Sequence, residues 1–79
     1  MIDYIKGKVA ELTPAYIVMD NGGIGYFLNI SLSTFTELEG KQECTILVHE
    51  VIREDAHLLY GFSARQERDL FRLLISVSG

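Results

Sequence analysis

An all-β barrel is the fold class that this 79-residue sequence predicts. Three observations predict it. Five β-rich runs follow one another, separated by turn or breaker residues. The fourth run, Glu43 to Arg53, is apolar on both faces, as suits a central or strongly coiled strand of a small barrel. One short helical segment falls between the third and fourth runs, and a longer one follows the fifth. Together these match a five-stranded Greek-key OB-fold barrel with a C-terminal helix. An SH3-like barrel fits the same pattern nearly as well.

The first run, Met1 to Glu11, alternates loosely: Ile5, Gly7 and Val9 share one face, and Tyr4, Lys6 and Lys8 the other. Pro14 breaks it. Tyr16-Ile17-Val18-Met19 is a second, short β-rich run. Asp20-Asn21-Gly22-Gly23 is the clearest turn signal, because Asn-Gly favours the type I′ turn that matches strand twist. The third run sets Ile24, Tyr26, Leu28 and Ile30 against Gly25, Phe27 and Asn29, and Gly25 is expected to allow a bulge or a close backbone approach. These three strands read as a meander. Ser33 to Leu38 reads as a short helix, with Leu32, Phe35 and Leu38 three apart, ending near Gly40.

The long fourth strand places Cys44, Ile46, Val48 and Ile52 on one face and Leu47 and Val51 on the other. Ala56 to Phe62 returns as its partner. Residues 1–62 thus read as the barrel and 63–79 as the closing helix. Ser63 followed by Gln66 has the form of a capping box. Leu70, Leu73, Leu74 and Val77 recur at helical spacing, joined by Phe71 and Ile75. These are too many apolar residues for one narrow stripe, so the helix is expected to pack on the barrel and also against something else. It stops at Ser78-Gly79 without a closing feature, as if cut from a longer chain.

Composition narrows the function classes. Hydrophobic residues make up 48% of the chain, enough for a core without staples. A domain of this size buries only ~60% of its unfolded surface, so it is expected to be marginally stable alone. The net charge of −4 makes it a poor nucleic-acid binder by charge alone. The single cysteine, Cys44, excludes an intramolecular disulfide and a cysteine-based metal cluster. Its apolar neighbours suggest a buried, reduced thiol in an intracellular protein. Asp3 and Lys6 interrupt any signal peptide, and no apolar run approaches the ~20 residues of a membrane span. A cytoplasmic protein is expected.

The most informative stretch is Arg53-Glu54-Asp55, between the fourth and fifth runs. Tight hairpin turns normally carry Gly or Asn, because they need positive φ. This one has neither and places two carboxylates side by side at an exposed tip. Such a charge repels phosphates or holds a cation, and packing does not require it. A metal site built from His57, Glu54 and Asp55 would be loosely specified, and exposed strand residues flanking a tip are the favoured reading of both His49 and His57. The adjacent carboxylates lack the burial that would separate their pKa values for acid–base catalysis. Ser63 reads as a cap, not a nucleophile. Gly22-Gly23-Ile24-Gly25 opens no helix and so lacks the geometry of a phosphate cradle. No catalytic residue, cofactor or metal is expected. Tyr4, Tyr16, Tyr26, Phe27, Tyr60 and Phe62 could stack on single-stranded bases, but only Lys6 and Lys8 supply positive charge on the strands, and core or interface roles are favoured.

The run Val51-Ile52-Arg53-Glu54-Asp55-Ala56-His57-Leu58-Leu59-Tyr60-Gly61-Phe62 closely resembles the RuvA family, the Holliday-junction-binding subunits of the bacterial branch-migration complex. So do Met1-Ile2 with Gly7, the Gly22-to-Tyr26 segment, Thr34-Phe35, Gln66-Glu67-Arg68, Leu70-Phe71 and Leu74-Ile75. The resemblance spans essentially the whole chain but covers only the family's N-terminal domain, an OB-fold. It lacks the helix-hairpin-helix domain that grips DNA and the domain that binds the motor.

What the resemblance implies is a non-catalytic, structure-specific DNA-binding module for recombination and repair, cytoplasmic and nucleoid-associated. Its implied partners are four-way junction DNA, three further copies in a homotetramer, the ATP-driven RuvB motor and the RuvC resolvase. It places the family's acidic pin on Glu54 and Asp55, with Arg53 as a possible phosphate contact whose simpler reading is a local ion pair. A subunit-interaction domain with little direct DNA role is the alternative, motivated by the long strand and the over-apolar helix. A generic single-strand-binding OB domain is a third reading, opposed by the acidic charge.

Overall fold

A computed structural model describes the backbone of residues 1–78 and the side chains of residues 1–76. The elements run β1 (Tyr4–Leu12), β2 (Tyr16–Asn21), β3 (Ile24–Ile30), α1 (Leu32–Leu38), β4 (Glu43–Ile52), β5 (His57–Phe62) and α2 (Arg65–Ser78). The strands close into a barrel in the order β1-β2-β3-β5-β4, with β4 returning to β1. Every pairing is antiparallel except β3 with β5, joined in parallel at Asn29↔Tyr60 and Ile30↔Gly61. This order, with a helix between β3 and β4, is the OB-fold, so the SH3-like alternative falls away.

β1 closes the barrel by serving two neighbours. Tyr4 to Lys8 pair with β4, and Lys8 to Leu12 pair with β2. A register shift between Val9 and Glu11 leaves Ala10 as a bulge, which bends the strand where it changes partner. The bulge expected at Gly25 is absent, because β2 and β3 pair without a break. The close backbone approach occurs at Gly7 instead, where a Cβ would collide with the carbonyl oxygen of Asp20. The β2–β3 turn has the φ signature of type I′, but it sits one residue later than the Asn-Gly signal suggests. Gly22 and Gly23 carry φ values of 60° and 91°. Asn21 stays in β2 opposite Ile24, and its side-chain amide donates to the Lys6 carbonyl at 2.6 Å.

Ile17, Met19, Leu28, Ile46 and Val48 are fully buried and form the core with Ile5, Leu38 and Phe62. Each such side chain contributes roughly 1.5–3 kcal/mol of hydrophobic stabilisation. Of the fourth strand's two apolar faces, Leu47 and Val51 are half-buried, while Ile52 projects past the barrel and is 74% exposed. The Cys44 thiol is half-buried, and burial pushes its pKa up, so the thiolate is disfavoured.

Each helix follows its spacing only in part: Leu38 of α1 is buried and Phe71 of α2 packs on barrel rings, as expected, and other positions differ. α1 starts at Leu32, and the Ser31 hydroxyl caps it by accepting from the Thr34 N–H. Leu32 is exposed, and the buried positions are Thr34 and Leu38, one turn apart. The capping box of Ser63 with Gln66 does not form. α2 starts at Arg65, the Ala64 carbonyl accepts from the Arg68 N–H, and the Ser63 N–H is turned to the hydroxyl of Thr34. Val77 belongs to the expected apolar stripe, but its side chain lies outside the described residues, as does Gly79.

Candidate functional site

β4 and β5 form a hairpin whose last pair is Ile52↔His57. The Arg53 N–H closes the turn on the Ala56 carbonyl at 2.7 Å, leaving Glu54 and Asp55 as its two central residues. No residue in the turn has positive φ, which is why it needs no glycine. Arg53, Glu54 and Asp55 are all exposed. Among the described residues neither carboxylate accepts a hydrogen bond, and the Arg53 guanidinium meets no carboxylate within salt-bridge distance. The local ion pair expected for Arg53 is therefore not formed. The tip presents two free carboxylates and one free guanidinium to solvent.

His57 does not join the tip carboxylates. Its ring turns back to Glu50, with Nε2 2.5 Å from Oε2. The other Glu50 oxygen accepts from the Ile2 N–H at 2.9 Å. These two contacts hold the Glu50 carboxyl below its usual pKa, the Ile2 N–H being the larger cause and His57 the second. Glu50 thus ties the chain's first residues to the neck of the hairpin. Among the described residues no cluster of His, Cys, Asp and Glu is arranged to hold a metal ion.

Behind the hairpin, α2 is attached to the barrel through groups that hydrophobic spacing alone leaves on the helix surface. Arg68 is 2% exposed. Its Nη1 donates to the Asp3 carbonyl at 2.8 Å, the Asp3 carboxylate at 2.9 Å and the Val48 carbonyl at 3.2 Å. Arg72 donates from Nε to His49 Nδ1 at 3.1 Å and from Nη2 to the Val48 carbonyl at 3.4 Å. Phe71 lies between them, with its ring centroid 5.4 Å from His49, 5.1 Å from Tyr60 and 5.2 Å from Phe62. Glu67 accepts from the Ser31 hydroxyl at 2.6 Å and the Thr34 hydroxyl at 2.7 Å, joining α2 to the start of α1.

An arginine guanidinium only donates, so His49 Nδ1 must be the lone-pair acceptor and the ring is neutral. Burial lowers the His49 pKa first, and the charges of Arg72 and Arg68 lower it further. The residues that sequence spacing assigns to packing, Leu70, Leu73 and Leu74, are 55%, 60% and 60% exposed. Glu67 with Phe71, and Arg68 with Arg72, each lie one turn apart, but nothing in that spacing marks them as the barrel-facing side.

The aromatic residues divide. Phe62 is buried, and Tyr60 is enclosed against Phe71. Tyr4 and Phe27 are more than half exposed, contrary to a core role, and Phe27 stacks on Tyr16 with centroids 4.7 Å apart. No helix is long and apolar enough to cross a membrane among the described residues.

The family described as "RuvA N terminal domain" matches residues 1–61. Over its whole length the chain is 58% identical to the Holliday junction branch migration complex subunit RuvA of Bacteroides fragilis, covering 39% of that protein. It is 57% identical to the subunit of the same name from Parabacteroides distasonis, covering 40% of it. Against the Streptococcus suis subunit the identity is 48%, again over the whole chain and 40% of the relative. The chain therefore spans about two fifths of the length of these relatives.

Proposed function

The chain belongs to the RuvA N-terminal domain family, and from that premise we propose that it is the barrel module of a Holliday-junction branch-migration subunit, shaping the junction centre with Glu54 and Asp55. The observation that carries this reading is the hairpin tip: two adjacent, exposed carboxylates without a partner among the described residues, at the end of the β4–β5 strand pair. Duplex DNA carries roughly one negative charge per 1.7 Å of axis. Two unit charges 4 Å apart repel by about 1 kcal/mol in water and about 4 kcal/mol at an effective dielectric near 20. Carboxylates held where DNA arms meet keep backbone out of the centre and favour separated strands, without chemistry and without a cofactor or metal. Arg53 beside them offers a phosphate contact that sets how closely the tip approaches.

The remaining roles extend the same reading. Four copies would present four tips around one crossover. Affinity would come from parts of the relatives beyond this domain, since the chain itself carries a net charge of −4. A separate ATP-driven motor, RuvB, would supply the work and the RuvC resolvase the cleavage, all in the cytoplasm at the nucleoid. The test is branch migration and junction opening by a protein of the relatives' full length carrying this chain with Glu54→Gln and Asp55→Asn. Loss of strand separation with junction binding retained is expected. Unchanged junction selectivity and unchanged strand separation would remove the role of the tip.

A second reading, a domain whose main task is subunit assembly, is favoured by the exposed Leu70, Leu73 and Leu74. Sedimentation of a Leu73→Gln, Leu74→Gln variant separates the two. Lost assembly together with silent tip variants would favour the scaffold.

A further inference from the structure

We propose that His49, Arg68 and Arg72 are positioning residues, forming a directional clamp that fixes the angle at which α2 leaves the strand carrying the acidic tip. The inference rests on the reading of the tip given above. β4 runs from its clamped residues, Val48 and His49, directly on to Ile52 and the tip. The Val48 carbonyl accepts from both arginines, and the Val48 N–H donates to the Asp3 carbonyl, which also accepts from Arg68. Strand, N-terminal segment and helix are thereby joined at one place. The matched family is an N-terminal domain ending at residue 61 and the matched relatives are longer, so we take α2, which follows that residue, as the link between the barrel and the rest of such a subunit. The orientation of α2 on β4 therefore sets where the tip lies relative to the rest of the subunit.

Apolar packing alone would attach the helix without fixing its angle as tightly. A leucine face was available and is turned outward, whereas the barrel receives a buried guanidinium and a second arginine, the latter on the imidazole of its own His49. Arg72 bonds through both Nε and Nη2, a planar fork that constrains rotation as well as distance, while Arg68 reaches its three acceptors through Nη1 and keeps a buried Nε without a partner among the described residues. The clamp also contains a group that opens it. Protonated His49 would turn an N–H towards the Arg72 N–H and add a third cation beside Arg68 and Arg72. The carboxylates around the clamp are already committed. Asp3 is engaged with Arg68, Glu67 is held by Ser31 and Thr34, and Glu50 is bound to Ile2 and His57. Phe71 meets His49 edge-on, and Tyr60, paired with His49 across β5, packs its ring on Phe71.

The experiment uses a protein of the relatives' full length carrying this chain. Junction affinity is read by gel shift. Opening of the junction centre is read by 2-aminopurine fluorescence at the crossover, near pH 7.5 and near pH 5.5. Arg72→Met is expected to bind the four-way junction within about threefold of the parent while losing about 3- to 10-fold in centre opening. The parent is expected to lose opening at the lower pH, and His49→Gln, which keeps an acceptor for Arg72 but does not titrate, to retain it. Should Arg72→Met fail to fold, Arg72→Lys and His49→Gln decide. Parental opening and a parental pH profile in both, while Glu54→Gln with Asp55→Asn loses opening, would overturn the clamp and leave the tip intact. If the tip variant is itself silent, the reading of the tip fails, and the clamp as a device for positioning it falls too.

Discussion

His49 is one of only two histidines, and its environment sets the sign of its pH effect. Its folded pKa lies below the ordinary value of 6.5, so the unfolded chain takes up the proton first. Stability contributed by the neutral ring is fully present above about pH 6.5 and is lost as pH falls from there towards the lowered folded value. Glu50 acts lower on the scale. Its folded pKa is below 4.5, so its contribution is present above that value and fades as pH falls further. Thermal melts of this chain should therefore show a first decline beginning near pH 6.5 and a second below pH 4.5. His49→Gln should remove the first and leave the second. A melting temperature that stays flat from pH 7 to pH 5 in the parent would contradict the neutral-histidine assignment. None of this was legible in the sequence, where His49 is one more residue on a strand. Its partner Arg72 stands 23 positions away, and no local pattern connects them.

At the scale of the element, α2 shows how a helix can mislead a reading based on hydrophobic periodicity. Its leucines recur at helical spacing, yet they face away from the barrel, and the docked face is built from Glu67, Arg68, Phe71 and Arg72. The existence of the helix was legible, because spacing reports an amphipathic helix whatever covers its apolar side. Which side meets the barrel was not, since that depends on hydrogen-bond acceptors supplied by α1, β4 and the N-terminal segment. The inversion gives a sharp contrast in this chain. Phe71→Ala removes the ring packed on His49, Tyr60 and Phe62 and should cost about 2–4 kcal/mol, towards the lower part of the range for aromatic truncation because the site is half-buried. Leu73→Gln should change stability by less than about 0.5 kcal/mol, as at other exposed sites. Glu67→Ala takes an ionised acceptor from two hydroxyls and should cost about 1.5–3 kcal/mol, with Glu67→Gln intermediate. Urea denaturation of the four variants checks the order, and a Leu73 cost equal to that of Phe71 would mean the helix is docked the other way round.

At the scale of the whole molecule, the barrel was legible for a physical reason: closure buries one face of β4 and α2 packs against the strand as well, and the sequence shows apolar residues on both faces over Cys44 to Val51. Turn and bulge positions were less so. Any of Asn21, Gly22 and Gly23 tolerates positive φ, and the bulge at Ala10 is dictated by β1 changing partners, not by its own side chain. The acidic tip was legible because nothing in the fold explains it, and charge without a structural partner remains visible after every packing role has been assigned. That charge makes a quantitative prediction for a protein of the relatives' length. Neutralising Glu54 and Asp55 removes two negative charges where phosphates would crowd closest, each worth about 1 kcal/mol or more at contact distance. Junction affinity at low salt should therefore rise by about 3- to 30-fold. The gain should shrink as the Debye length falls from about 10 Å at 0.1 M salt to about 3 Å at 1 M. Affinity for linear duplex, which has no crossover for the tips to occupy, should change far less. A salt titration of junction and duplex binding with the Glu54→Gln, Asp55→Asn variant measures both slopes, and equal gains on the two DNAs would place the tip away from the crossover.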